Sequence, residues 1–146
     1  MSRPTVYEHS YHHFEDVQLS AREFYATLRK LIAEHQFPSV ECGVVTFADG
    51  GLFSSRREYL EVRYRSYRYY ICAAPFGRNF FISWWLKEHE SSWDRFRRLI
   101  EGVKSESFYE VDTQQIFTSS ITALIKALIQ RVESERGFRA PDALAQ

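Results

Sequence analysis

The chain has 146 residues and a mass of 17.3 kDa, the size of one ordinary domain and enough to bury a core without disulfide or metal staples. Its hydrophobic share of 45% and aromatic share of 16% exclude a disordered chain. Formal net charge is zero, so no global field draws the protein to nucleic acid or to an anionic membrane, and any charge-driven binding must be local.

The opening segment, residues 1–19, mixes aromatics with His9, His12, His13, Glu8, Glu15 and Asp16 without a clear period, and reads as an arm with at most a short strand. Ser20-Ala21-Arg22-Glu23 is a capping box, in which the serine oxygen accepts the Glu23 amide and Glu23 reaches back. Phe24, Leu28, Leu31, Ile32 and His35 follow at helical spacing until Pro38 forbids continuation. The predicted helix is Ala21 to Gln36. Ser39 to Phe47 reads as a strand closed by the turn residues Asp49, Gly50 and Gly51, with Leu52 and Phe53 beginning the return.

From Glu58 to Arg65, Leu60, Val62 and Tyr64 alternate with Tyr59, Glu61, Arg63 and Arg65, which predicts one buried and one polar face. Ser66-Tyr67 is the predicted turn, placing Arg65 opposite Arg68 and Arg63 opposite Tyr70. Arg68 to Phe76 and Phe80 to Lys87 flank Gly77-Arg78-Asn79, the strongest hairpin signal in the chain. A loop of Arg78-Asn79 sets Cys72 opposite Trp85, and a three-residue loop sets it opposite Trp84. Ser91 with Asp94 caps a short helix carrying Trp93, Phe96, Leu99, Ile100 and Val103, ending near Gly102. The last helix is expected to start at Asp112 or Thr113 and run to Arg136, with a broad apolar stripe that demands burial. The expected architecture is therefore α+β in two layers: a residue 1–19 arm, then one domain over 20–137 holding an N-terminal helix, an antiparallel meander of about four strands and two C-terminal helices, then a tail over 138–146.

The segments Arg57-Glu58-Tyr59-Leu60-Glu61-Val62-Arg63, Ile71-Cys72-Ala73-Ala74-Pro75-Phe76-Gly77 and Phe80-Phe81-Ile82-Ser83-Trp84-Trp85 resemble a family of small bacterial proteins of unknown function, and Asp112-Thr113 followed by Phe117 looks like a second block of the same pattern. The resemblance implies a soluble bacterial protein and brings no catalytic residue with it.

Arginine outnumbers lysine, which appears only at Lys30, Lys87, Lys104 and Lys126, and arginine suits bidentate ion pairs and ring stacking. The candidate binding residues are Arg63, Arg65, Arg68, Tyr70, Cys72, Trp84 and Trp85. Arginines and rings on one strand face fit a protein partner, self-association or an anion; the plainer reading is a solvated sheet face. The small strip Cys72, Ala73, Ala74 needs a filler, for which a packed helix is the simplest choice, and a second Trp left uncovered would mark an interface. A helix followed by a strand meander is similar in outline to ubiquitin-conjugating enzymes, which would make Cys72 a nucleophile. A mid-strand apolar cysteine lacks the electropositive, accessible setting that a thiolate needs. His9, His12 and His13 lack a rigid metal-ligand spacing. There is no phosphate-binding glycine loop and no Gly-x-Ser-x-Gly elbow. These features point to a non-catalytic module without a cofactor, with a small-anion site or enzyme at Arg63, Arg65, Arg68 and Cys72 as the alternative. Nucleic-acid specificity is not evident. Two cysteines inside apolar segments, no signal-like opening and no membrane-spanning run make the cytoplasm the expected location.

Overall fold

A computed structural model describes residues 5–48, 56–88, 100 and 108–137. Five strands form one antiparallel sheet in the order β1-β5-β4-β3-β2, with β1 Thr5–Phe14, β2 Glu41–Ala48, β3 Arg56–Tyr64, β4 Tyr67–Phe76 and β5 Asn79–Glu88. Helix α1, Ala21–Glu34, lies between β1 and β2 in sequence, and helix α2, Phe108–Val132, runs into a π turn at Glu133–Gly137. Because β1 and β2 occupy opposite edges, α1 must carry the chain across the sheet. Its 14 residues span about 21 Å, and four strand spacings span about 19 Å, so the helix length matches the sheet width.

The capping box forms as the sequence predicts: Ser20 Oγ accepts from Glu23 N at 3.1 Å, and Glu23 Oε2 accepts from Ser20 N at 3.0 Å. At the other end Gln36 takes a positive φ of 51° ahead of Pro38, which stops the helix. Phe24, Tyr25, Leu28 and Ile32 are buried from α1, and Phe117, Ile121, Leu124, Ile125, Leu128, Ile129 and Val132 from α2. Both sets meet the same sheet face, made of Leu60, Val62, Tyr69, Ile71, Phe80, Ile82, Trp84 and Leu86. Phe117 packs against the rings of Tyr64 and Tyr69 at centroid distances of 5.4 and 6.1 Å, while the Tyr69 hydroxyl meets Thr122 Oγ1 at 2.7 Å.

Four expectations are corrected. Residues 5–14 are a full strand rather than an arm: they pair with β5 from Thr5 to Phe14, and the edge position tolerates Glu8, Ser10 and His12 on the helix face as well as His9 and His13 on the open one. Among the described residues the sheet therefore has five strands, not about four. The β3–β4 turn is Arg65-Ser66, with Arg65 at φ 53° and Tyr64 paired with Tyr67; Arg63 consequently faces Arg68, and Tyr70 faces Glu61. The β4–β5 loop is Gly77-Arg78: Gly77 supplies a φ of 61° at the first loop position, Phe76 pairs with Asn79 and Cys72 pairs with Ser83. Cys72 thus faces neither tryptophan. Helix α2 begins four residues before the expected Asp112, at Phe108. The expected helix around Trp93 to Gly102 lies outside the described residues except for Ile100, which is helical, and the return at Leu52-Phe53 and the tail over 138–146 lie wholly outside them.

One tyrosine shapes the middle of the sheet. The pairing of β3 with β4 ends at Tyr59 and Cys72, where the Tyr25 hydroxyl donates to Glu58 O at 2.7 Å and accepts from Ala73 N at 2.8 Å. The side chain stands in for the next ladder hydrogen bond and holds the strands apart. It also meets Ala73, the member of the small strip that faces the helices, so α1 rather than the last helix fills the room there. Pro75 follows two residues on, and by strand alternation its nitrogen turns to the same side as that of Ala73, where β3 no longer needs a donor.

Candidate functional site

Strand alternation sends every second residue to the face opposite the helices, and neither described helix covers that face. The pairing registers turn it into rows. At the hairpin end, Lys87, Arg68, Arg63 and Glu41 lie side by side across β5, β4, β3 and β2. The next row holds His9, Trp85, Tyr70, Glu61 and Gly43, and the one after it Tyr11, Ser83, Cys72, Tyr59 and Val45. Beyond these come His13 beside Phe81, and Arg57 beside Phe47. The face is a band of rings with a line of cations along one end.

The rings brace one another. His9 stacks on Trp85 with centroids 3.5 Å apart, and Phe47 meets the edges of Tyr59 and Tyr70 at 5.2 and 5.4 Å. Lys87 Nζ sits 5.8 Å from the Tyr70 ring centroid, a cation–π contact. Burial, followed by the neighbouring Glu61, pushes the Tyr70 hydroxyl up to about 12.

The cation row opposes like charges: Arg68 stands directly between Arg63 and Lys87. Such pairs cost stability rather than add to it. Arg63 is partly compensated by Glu41 at 3.2 Å and Glu61 at 3.3 Å. Arg68 turns its guanidinium to the Arg65 and Tyr67 carbonyls at 2.6 and 3.0 Å.

The residues singled out from sequence separate into three groups. Arg63, Arg68, Tyr70, Cys72 and Trp85 share the open face. Arg65 sits at the hairpin tip and bonds the Tyr109 hydroxyl of α2 at 3.0 Å, with its guanidinium 5.6 Å from the Tyr64 ring centroid. Trp84 faces the helices, 3% exposed, and its Nε1 finds no acceptor among the described residues. Cys72 is 2% exposed, and burial raises its thiol despite the nearby Arg57, Ser83 and Tyr59. Desolvation likewise raises the Cys42 thiol. Neither cysteine is poised as a thiolate at neutral pH.

Sequence reasoning did not place Phe47, Phe81, Tyr11, His9 or Lys87 on this surface. Their signal is parity within each strand, legible only once β1 and both hairpin registers are fixed. His9 and His13 lie on the open face, whereas His12 turns to the helix side and meets Glu133 at 2.7 Å. Among the described residues no three His, Cys, Asp or Glu side chains gather as a metal site, and no helix is long and apolar enough to cross a membrane. No family model, no curated protein and no solved structure matches the chain.

Proposed function

We propose that the protein is a non-catalytic binding module whose open sheet face takes an acidic segment of a partner protein. The observation that carries this reading is the row Lys87, Arg68, Arg63 beside the ring row Trp85, Tyr70. Repelling cations set next to preorganised rings are costly to an isolated fold and useful to a docking surface, where carboxylates relieve the repulsion and aromatic side chains supply contact area. Thiols raised by burial at Cys72 and Cys42 fit a role without covalent chemistry. Two unpaired cysteines fit a reducing, cytoplasmic setting, and the motif resemblance fits a bacterial source.

The test is affinity capture from the native host with the wild-type chain and with a K87S/Y70A/W85A variant. A partner retained by the first and lost by the second, with unchanged circular dichroism and with binding that weakens as salt rises, supports the reading. Equal recovery by both chains sinks it.

The second reading, a small-anion site or enzyme at Arg63, Arg65, Arg68 and Cys72, draws on the same cation row. Arg63 is already held by two carboxylates and Arg65 is turned to α2, so the three arginines do not converge. Thermal shift against phosphate and nucleotides separates the two readings. An anion at a hundred times its dissociation constant adds about 2.7 kcal/mol, and a shift of that size abolished by R68Q would favour the small-anion site.

A further inference from the structure

The two edges of the sheet are built differently. β1 shifts register between Val6 and Glu8 and carries Glu8, His9, His12 and His13, and irregular pairing with polar side chains is how sheet edges avoid further pairing. β2 has neither safeguard. It pairs with β3 through eight consecutive positions without a shift, contains no proline or lysine, and bears its one charge, Glu41, at its first residue. Val44 is 46% and Phe47 48% exposed, and a Cβ on Gly43 would meet nothing within 4 Å. As the last strand of the sheet among the described residues, β2 presents an outer row of backbone donors and acceptors, a template for another strand.

We propose that β2 pairs antiparallel with β2 of a second copy of this chain about a two-fold axis at Val44, joining two five-stranded sheets into one. A two-fold axis normal to the sheet opposes only residues of the same face, so Val44 faces itself, Cys42 faces Thr46, Gly43 faces Val45 and Glu41 faces Phe47 of the second copy.

Charge favours this register on both faces. On the open face the row becomes Arg63, Glu41, then Phe47 and Arg57 of the second copy, because Phe47 pairs with Arg57 in its own sheet. A carboxylate is thereby set between two guanidinium groups. On the helix face Arg29 and Cys42 line one groove, and Cys42 comes beside Thr46 of the second copy, whose own neighbour is Glu58. Arg29 of one copy thus looks toward Glu58 of the other. An axis at Val45 would bring Arg56 of the second copy toward Arg29 instead, setting like charges together. The bare flank of Gly43 receives Val45 directly and Phe47 on the diagonal, and every contact except that of Val44 with itself occurs twice.

This inference rests on the β2 edge and the side chains that flank it, and stands or falls apart from the partner proposed for the cation row. Sedimentation equilibrium over a wide range of protein concentration tests it. The wild-type chain should pass from the mass of one copy to that of two. V44K and V44E should each remain single copies while folded by circular dichroism, and their equimolar mixture should regain the double mass, because position 44 meets itself. A wild-type chain that stays single throughout overturns the proposal, as do variants that still pair alone or a mixture that does not pair. Should either variant unfold, amide exchange of wild-type β2 decides. Exchange at residues 43–45 slowing with protein concentration supports the seam, and exchange independent of concentration refutes it.

Discussion

Replacing Tyr25 by Phe removes one oxygen and should loosen the middle of the sheet. That hydroxyl makes two hydrogen bonds, to Glu58 O at 2.7 Å and from Ala73 N at 2.8 Å, from a side chain only 2% exposed. At about 0.5–1.5 kcal/mol for each bond, with a further penalty if the buried Ala73 amide finds no acceptor, Y25F should cost about 2 kcal/mol. For a chain of this length that corresponds to a fall in melting temperature of about 7 °C. The ring remains to fill its site, so the cost lies well below the roughly 3–5 kcal/mol of truncating a large buried aromatic to Ala. Urea unfolding followed by tryptophan fluorescence gives the free energy, and amide exchange reports Ala73 itself, which should lose protection more than its neighbours on β4. If Y25F costs less than about 0.5 kcal/mol while Ala73 keeps its protection, the strands have closed on each other directly and the reasoning is wrong.

Tyr25 and Tyr69 are both buried, and desolvation lifts each hydroxyl above its ordinary value of 10.0. A proton held more tightly by the folded chain gives stability that is present below pH 10 and lost as pH rises above it; urea midpoints should fall above pH 10, less steeply in Y25F/Y69F, and parallel profiles would contradict this. Thr118 buries a hydroxyl that lacks a partner among the described residues, so T118V should be neutral or stabilise by up to about 1 kcal/mol in the same urea assay. Because Lys87, Arg68 and Arg63 repel across neighbouring strands, moderate salt should raise the wild-type urea midpoint, and K87T should show less of this gain. In native protein at neutral pH, a thiol reagent should label half-buried Cys42 before Cys72 and both far more slowly than after unfolding; rapid labelling of Cys72 would reopen a nucleophilic role.

Much of the fold is legible in the chain because its signals are local. Ser20 and Glu23 announce α1 through the short-range geometry of a capping box, and the alternation around Leu60, Val62 and Tyr64 announces β3. What escapes depends on contacts distant in sequence. β1 hides because its edge position lets Glu8, Ser10 and His12 take helix-facing places that the central strands fill with residues such as Leu60, Val62, Ile71 and Ile82. Both hairpin registers escape because Gly77 and Arg65 each take positive φ at the first loop position, and one residue of slip exchanges every cross-strand neighbour. The three arginines were visible as types, but only the Arg65-Ser66 turn makes Arg63 and Arg68 neighbours and sends Arg65 to Tyr109. Tyr25 gave no sign of its role, since a tyrosine one residue after Phe24 on a helix reads as part of the apolar stripe, and only the separation of β3 from β4 gives its hydroxyl two partners.

Acrylamide quenching of single-tryptophan proteins, read with and without a partner recovered by the wild-type chain, addresses the sheet face itself. With Trp93 and one of the adjacent pair replaced by Phe, a protein keeping Trp85 should be readily quenched when free and shielded when the partner binds, while one keeping Trp84 should be poorly quenched in both states. Equal quenching of the two free proteins, or a Trp85 that stays as accessible in the complex as before, would contradict the assignment of this face as the docking surface.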